Sequence, residues 1–297
     1  MASKFNRKFA FVVAGFVAAA ALLVVAAIVV NVTYIQNADR HIRAGDELMA
    51  QGKVREAFQM YGRAVNKKPN EVRYIEKMES ALAKTVAQNA GQALEDYRSW
   101  IGLKRARTRA QPTDMAQWQM LLDAVEAESE LYEQGNGWLN LETAAKEMKD
   151  AMPAGSPGLR VADETMLHAR AQREKYLTPA ERGELDKALE AYLAQDAKSW
   201  RAWGALVDLR LADAARLRDA GQDQAAVRRT EQLDAAIAKM GKSLDANDPN
   251  AQYTMARAAF ERGRFDAIVG SRLSRGKIDP KALAPDRKST RLNSSHA

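Results

Sequence analysis

The side chains that most often bind metals or act as nucleophiles are scarce in this sequence. Its 297 residues contain no cysteine and three histidines, at positions 41, 168 and 296. A thiolate site and a cysteine nucleophile are therefore excluded, and a multi-histidine metal centre is hard to build. The chain also lacks a glycine-rich phosphate loop, a Gly-x-Ser-x-Gly turn and a His-Glu-x-x-His helix. We expect no enzyme activity, no cofactor and no metal site, and structural roles for His41 and His168.

Three other clusters could do chemistry, but each has a simpler structural interpretation. The alternating glutamates of 126–130 suggest a divalent-ion site, yet helical residues two apart point in different directions and indicate a solvated face. The basic segment 104–109 could contact anionic lipid headgroups, or it complements the dipole at a helix C-terminus. Trp200 and Trp203 share a helical face, which indicates packing against another helix; a peptide-binding aromatic shelf is the alternative.

The net charge of +7 is concentrated at the two ends of the chain. Residues 1–8 carry +3 and residues 286–297 carry +2, which leaves about +2 for everything between them. Duplex binding uses basic residues distributed along a surface to neutralise many phosphates. We therefore expect no nucleic-acid ligand.

An apolar run near the N-terminus predicts a membrane anchor. Residues 9–30 read FAFVVAGFVAAAALLVVAAIVV, twenty-two residues without a charge. At about 1.5 Å per residue this run crosses the roughly 30 Å hydrocarbon core of a bilayer. A cleaved signal peptide, with a shorter apolar region of about 7 to 15 residues, and a buried core helix are the alternatives. We predict an uncleaved anchor over residues 9–35, preceded by a basic cytoplasmic flank, residues 1–8.

The charges beside the anchor predict its orientation. Three Lys or Arg residues precede the apolar run, whereas Arg40 and Arg43 after it are mixed with three acidic residues. Lys and Arg favour the cytoplasmic side of a membrane. We therefore expect a single-pass protein of the bacterial inner membrane, with its N-terminus inside and its helical domain outside the cytoplasm. A tethered assembly factor that faces the cytoplasm is the alternative topology.

The C-terminal residues have an unusual sequence. Residues 286–296 read DRKSTRLNSSH, which resembles the in-frame translation of a common short-read sequencing adapter at all eleven positions. An ordinary polar tail is the alternative. We expect residues 286–297 to be non-native, residues 276–285 to be a linker or truncated end, and the natural sequence to continue beyond Pro285.

Residues 37–275 have the apolar periodicity of helices. Apolar residues recur at three- and four-residue spacings without alternating strand patterns, which predicts an all-α domain. The clearest unit is 37–70, in which two amphipathic helices are separated at Gly52 and closed by Pro69, and a capped helix start is predicted at Thr178. The expected helix pairs lie near 37–67, 71–109, 113–150, 158–195, 198–245 and 250–274. Helix ends are expected at glycines 135, 221 and 263.

The unit 37–70 resembles the tetratricopeptide repeat. The matching residues are Ala44, Gly45, Leu48, Gly52, Ala57, Tyr61, Ala64 and Pro69, and His41 stands at the position of the family tryptophan. The resemblance implies that its small residues let two helices approach closely and that its bulky residues fill the gap to the next helix. It covers about 34 of the 297 residues. A general α-solenoid explains the later units equally well.

Stacked helix pairs of this kind form an extended surface that binds a peptide or protein partner. By the resemblance, first-helix residues line that surface, here Asp39, Ile42, Arg43, Asp46 and Met49. Chaperone-binding members hold a terminal carboxylate with Lys and Asn where Ile42 and Asp46 stand, so we expect a partner with a mixed polar surface. We predict a membrane-anchored interaction scaffold of the bacterial envelope, without a small-molecule substrate. The alternative is the non-catalytic part of a larger enzyme or secretion component.

Overall fold

The computed structural model describes residues 17, 20–26, 37–131 and 135–274. Within these ranges every regular element is helical, which confirms the expected all-α class. A short 3-10 turn, Glu174–Tyr176, lies between two of the α-helices. From residue 37 onward the α-helices are α1 (Ala38–Ala50), α2 (Val54–Lys67), α3 (Val72–Leu82), α4 (Ala90–Ala110), α5 (Met115–Leu131), α6 (Gly135–Ala151), α7 (Pro157–Gln172), α8 (Pro179–Gln195), α9 (Trp200–Asp219), α10 (Asp223–Ser243) and α11 (Pro249–Ser274).

Most of the expected anchor lies outside the described residues. Of residues 9–35, position 17 and residues 20–26 are described as helical, and the side chains of Leu22, Leu23, Val24 and Val25 are more than half exposed. Among the helices of the described ranges, none has the length and apolarity that a bilayer crossing requires. The flank 1–8, the linker 276–285 and the tail 286–297 also lie outside the described residues.

The first compact unit, residues 1–121, is built around α1 and α2. The small residues assigned to their contact have the expected role, since Ala57 and Ala64 are fully buried. Gly45 lies directly beneath the ring of Tyr61, and a Cβ atom there would lie 2.4 Å from Cε1 of that ring. A turn containing Gly52, at φ +74°, joins the two helices. Helix α2 then packs against α3, and α3 packs against α4.

The second unit, residues 122–297, is centred on α9. This helix packs against α7, α8, α10 and α11 and supplies much of an apolar core that includes Leu206 and Leu209. Gly221, at φ +71°, follows α9 in the turn to α10, as predicted. The predicted helix start at Thr178 is confirmed as a capping box with Glu181, in which each side chain accepts a hydrogen bond from the backbone N–H of the other residue.

Three details of the expected helix pairs are wrong. Gly135 begins α6 and does not end a helix. Gly263 lies inside the continuous helix α11, because its backbone lacks the positive φ that Gly52 and Gly221 have after their helices. The region 250–274 is therefore one helix and not a pair. In addition, α7 packs more extensively against α6 than against α8. The weak contact between α7 and α8 leaves a surface groove of about 600 Å³ between them.

Three helices begin with the same local hydrogen bond, which the sequence analysis did not predict. Trp118 is the fourth residue of α5, and its indole Nε1 donates to the carbonyl of Pro112 at 2.8 Å. Trp203 occupies the fourth position of α9 and donates to Ala197 at 2.9 Å, and Gln252 of α11 donates to Ala246 at 2.5 Å. Each bond reaches six residues back and fastens the incoming loop to its helix. The same geometry therefore recurs at the start of α5, α9 and α11.

Candidate functional site

The expected partner-binding residues of α1 are mostly engaged inside the first unit. Ile42 is buried at 7% exposure in the core, and the side chain of Met49 packs against the same core. Arg43 is exposed, and the side chains of Asp39 and Asp46 remain 45% and 44% exposed. Ile42 therefore packs in the core, and little of its side chain is accessible to a partner.

The two carboxylates of this set connect α1 to its neighbours. Asp39 accepts a hydrogen bond from the hydroxyl of Tyr74 at 2.7 Å, and this bond lowers the pKa of Asp39. Asp46 accepts from the hydroxyl of Tyr61 at 2.7 Å and from Nζ of Lys77 at 2.6 Å. Burial would raise the pKa of Asp46, but these two donors outweigh it and lower the pKa. Both acids therefore stabilise helix contacts within the chain.

The basic segment 104–109 also has internal partners, which neither the lipid-contact nor the helix-dipole interpretation included. Lys104 is buried and pairs with Glu79 at 2.9 Å, and Arg107 pairs with Glu76 at 2.8 Å. Both pairs join α4 to α3. Arg107 also lies in the last turn of α4, where the helix dipole favours a cation, as expected.

The histidine of α7 occupies a buried polar cluster in the second unit. Nε2 of His168 lies 3.3 Å from Oε1 of Glu126, and the ring of Trp138 meets the imidazole edge-on at 5.7 Å between centroids. Nδ1 of His168 is buried and has no hydrogen-bond partner among the described residues. Burial would raise the pKa of Glu126, but the contacts with His168 and Arg201 reverse that effect and lower it. His168 therefore lies inside the second unit and not on its surface, and its structural role stays a prediction.

No metal site accompanies this cluster. In the described part of the chain, no three His, Asp or Glu side chains converge as ligands would. Glu126 turns towards His168, whereas Glu130 of the same segment is exposed. This arrangement agrees with the directional argument made from the spacing of 126–130. The expected solvated face is wrong for Glu126, whose side chain is 14% exposed and pairs with Arg201 at 2.9 Å.

Asp208 of α9 faces the same cluster and provides a test of its electrostatics. Burial raises the pKa of Asp208, although Arg257 pairs with it at 2.8 Å. A raised folded-state pKa means that ionised Asp208 costs stability as the pH rises through that value. We expect Asp208→Asn to raise the free energy of unfolding at pH 7, with the gain shrinking as the pH falls towards the unfolded-state pKa of aspartate. Urea unfolding of the parent chain and of the Asp208→Asn variant at several pH values measures this difference. A lower free energy of unfolding for the variant at pH 7 would show that the ion pair with Arg257 outweighs the cost of burying the charge.

A second polar cluster joins α8, α9 and α10. Arg210 of α9 donates to both carboxylate oxygens of Asp186 on α8, at 2.9 and 3.1 Å, and to the carbonyl of Gln232 on α10 at 3.1 Å. Glu190 pairs with the same guanidinium. Arg229 of α10 approaches Asp186 at 3.0 Å. Burial would raise the pKa of Asp186, but the two arginines together lower it.

These pairs bridge the middle of a long surface groove, which we name the α8–α10 trough. Helices α8 and α10 form its walls and α9 forms its floor. One end is an open depression of about 590 Å³ beside Trp203 and Leu206, and the other end is a depression of about 710 Å³ beside Leu217. At the second end Asp213 pairs with Arg182 at 3.0 Å and with Arg229 at 2.9 Å, whereas Lys187, which also lines this end, has no ion pair within the described residues.

The first end of the trough has an apolar floor and small walls. Leu193, Trp203 and Leu206 close the floor and are each less than a tenth exposed. Trp203 is therefore a core residue, as the helical spacing predicted, and only its edge reaches the groove. The exposed alanines Ala194 on α8 and Ala235 on α10 line opposite walls. Alanine walls let the backbone of another segment approach closely and leave room for its larger side chains.

Sequence reasoning missed the trough because its charges are far apart along the chain. Asp186, Arg210 and Arg229 lie on three helices, and no local motif connects them. One signal was present. Arg210 continues the apolar stripe of α9 formed by Trp203 and Leu206, and a cation within a core stripe requires a buried partner.

Comparisons with known proteins do not assign a family. No family model matches the chain, and no curated protein matches it. Among solved structures, the chain is similar to the crystal structure of the P58(IPK) TPR domain, with 11% sequence identity over 77% of this chain and a TM-score of 0.29. The chain covers 57% of that structure. A TM-score this low does not establish a shared fold.

Proposed function

We propose that this chain is an anchored, tetratricopeptide-like scaffold of the bacterial envelope that binds another protein through the α8–α10 trough. The observation that carries the proposal is the first end of the trough, an open depression of about 590 Å³ with an apolar floor and alanine walls. Apolar grooves between helices can bind the apolar face of a segment from another protein. Helices α8, α9 and α10 supply every residue of this lining except Ala197, which lies in the connection before α9.

The groove between α7 and α8 is the competing surface, and its charges favour the trough. Its lining residue Asp163 pairs with Lys149 at 2.7 Å, and Arg170 approaches Glu142 at 3.8 Å. A partner would have to displace these pairs. Both grooves offer apolar surface, but the first end of the trough also carries Lys239 and Lys242, which have no ion-pair partner within the described ranges.

The test of the trough uses two tryptophan substitutions on α10. Ala235→Trp fills the groove, whereas Ala238→Trp places the same side chain three residues along, at an exposed position outside the groove. Each variant is isolated from native membranes, and the proteins that accompany it are quantified by mass spectrometry. We expect proteins present in stoichiometric amounts with the Ala238→Trp chain to be missing from the Ala235→Trp isolate. Identical partner sets from the two variants would contradict binding in the trough.

The anchor is supported by the uncharged run of residues 9–30 and by the basic residues before it. We expect the full chain to stay with membranes through alkaline carbonate extraction, and a chain lacking residues 9–35 to be released. A full chain that extracts into the soluble fraction would contradict the anchor and leave the trough proposal intact.

A further inference from the structure

The first end of the trough carries a positive charge that the fold does not use. Lys239 and Lys242 lie three residues apart on α10, line this depression and are exposed. Neither forms an ion pair with another residue of the described chain. The other charged residues of the lining, Glu190 and Arg210, are paired with each other. The two lysines are therefore a surplus of positive charge beside an apolar floor.

The stability of the helix explains only part of this arrangement. Lys242 lies in the last turn of α10, where a cation offsets the helix dipole. Lys239 lies almost one turn earlier and points to the same side of the helix. A surface with two adjacent cations and an apolar floor is complementary to a segment that carries apolar and anionic side chains together.

We infer that the trough binds an acidic segment of another protein, in which a large apolar side chain enters the depression and two carboxylates pair with Lys239 and Lys242. The inference rests on the proposed function and adds the chemistry of the partner. The site lies between α8 and α10, the second helices of their expected pairs, and not along the first-helix residues Asp39 to Met49. Rim charges of this type set specificity and association rate more than total affinity.

The test uses three short, alanine-based helical peptides labelled with fluorescein. Each carries one leucine anchor and two residues, three apart, that are both glutamate, both glutamine or both lysine. Binding to the full 297-residue chain in lipid nanodiscs is followed by fluorescence anisotropy. We expect the glutamate peptide to bind about tenfold more tightly than the glutamine peptide, as two rim ion pairs allow, and the lysine peptide to bind most weakly.

Charge reversal identifies the residues responsible. The double variant Lys239→Glu/Lys242→Glu is expected to prefer the lysine peptide over the glutamate peptide. The matched control Lys53→Glu/Lys84→Glu makes the same change in net charge at two exposed lysines elsewhere, and it should keep the preference of the parent chain. Equal loss of glutamate-peptide binding in both double variants would overturn the inference, because it would show a general charge effect.

The remaining outcomes separate this inference from the proposed function. If all three peptides bind equally and Ala235→Trp abolishes their binding, the trough is a protein-binding site without the inferred preference for acids. If Ala235→Trp leaves peptide binding unchanged, both proposals fail. If no peptide binds and Ala235→Trp alters the oligomeric state of the chain by analytical ultracentrifugation, a second copy occupies the trough and the acidic partner is wrong.

Discussion

Replacement of Arg210 by methionine is expected to lower the free energy of unfolding by about 3 kcal/mol, the lower part of the range for breaking a buried ion pair. The guanidinium is only 7% exposed and binds Asp186 through two hydrogen bonds and the carbonyl of Gln232 through a third. Methionine fills a similar space but leaves the carboxylate of Asp186 with Arg229 as its remaining partner. The loss is measured by urea unfolding followed by far-UV circular dichroism.

Arg264→Met is the matched control for this effect. Arg264 lies on α11, its side chain is 65% exposed, and it approaches Glu261 at 3.6 Å. An exposed pair of this kind contributes about 0 to 1 kcal/mol, so the control should unfold close to the parent midpoint. Equal, small losses in both variants would show that the buried ion pair of Arg210 with Asp186 contributes little to stability.

Gly45→Ala is expected to cost about 2 to 3 kcal/mol, since overpacked cores lose stability on this scale. The new methyl group would lie 2.4 Å from Cε1 and 2.7 Å from Cδ1 of Tyr61. The ring has little freedom to move aside, because Tyr61 is 3% exposed and its hydroxyl donates to Asp46 at 2.7 Å. Helices α1 and α2 must therefore separate to admit a single methyl group.

Gly102→Ala provides the opposite result in the same unit. Gly102 lies inside α4, is exposed, and would have no atom within 4 Å of an added Cβ. Alanine in a helix interior is more stable than glycine by about 0.5 to 1 kcal/mol, so this variant should gain stability. If Gly45→Ala matched Gly102→Ala in urea unfolding, the close contact between α1 and α2 would be refuted.

Local features of the fold were predictable because they depend on residues near one another in sequence. The turn glycines Gly52 and Gly221 and the capping box at Thr178 follow from backbone conformation and short-range hydrogen bonds. The small contact residues of α1 and α2 follow from helical spacing. Gly263 failed as a helix end because a glycine stops a helix only where the chain must turn, and the sequence around it continues in helical register.

Longer-range features were not predictable from local pattern. The engagement of Asp39 with Tyr74 and the bridge from Asp186 to Arg229 connect residues that are 35 and 43 positions apart. The spacing of the first-helix residues indicated a surface for a partner. In the structure, Asp39 and Asp46 on that surface already contact side chains of the same chain. The candidate site itself is defined by α8, α9 and α10 together, so its residues emerge only when the three helices are placed.

The central claim, that the α8–α10 trough is occupied by a partner, is tested most directly by single-cysteine footprinting. These 297 residues contain no cysteine, so Ala235→Cys and Ala238→Cys each introduce one exposed thiol, inside and outside the trough respectively. The measurement is the rate of maleimide labelling in native membranes and again after purification. We predict that position 235 labels slowly in membranes and fast after purification. Position 238 should label fast in both conditions. Equal labelling rates at the two positions in membranes would contradict the account.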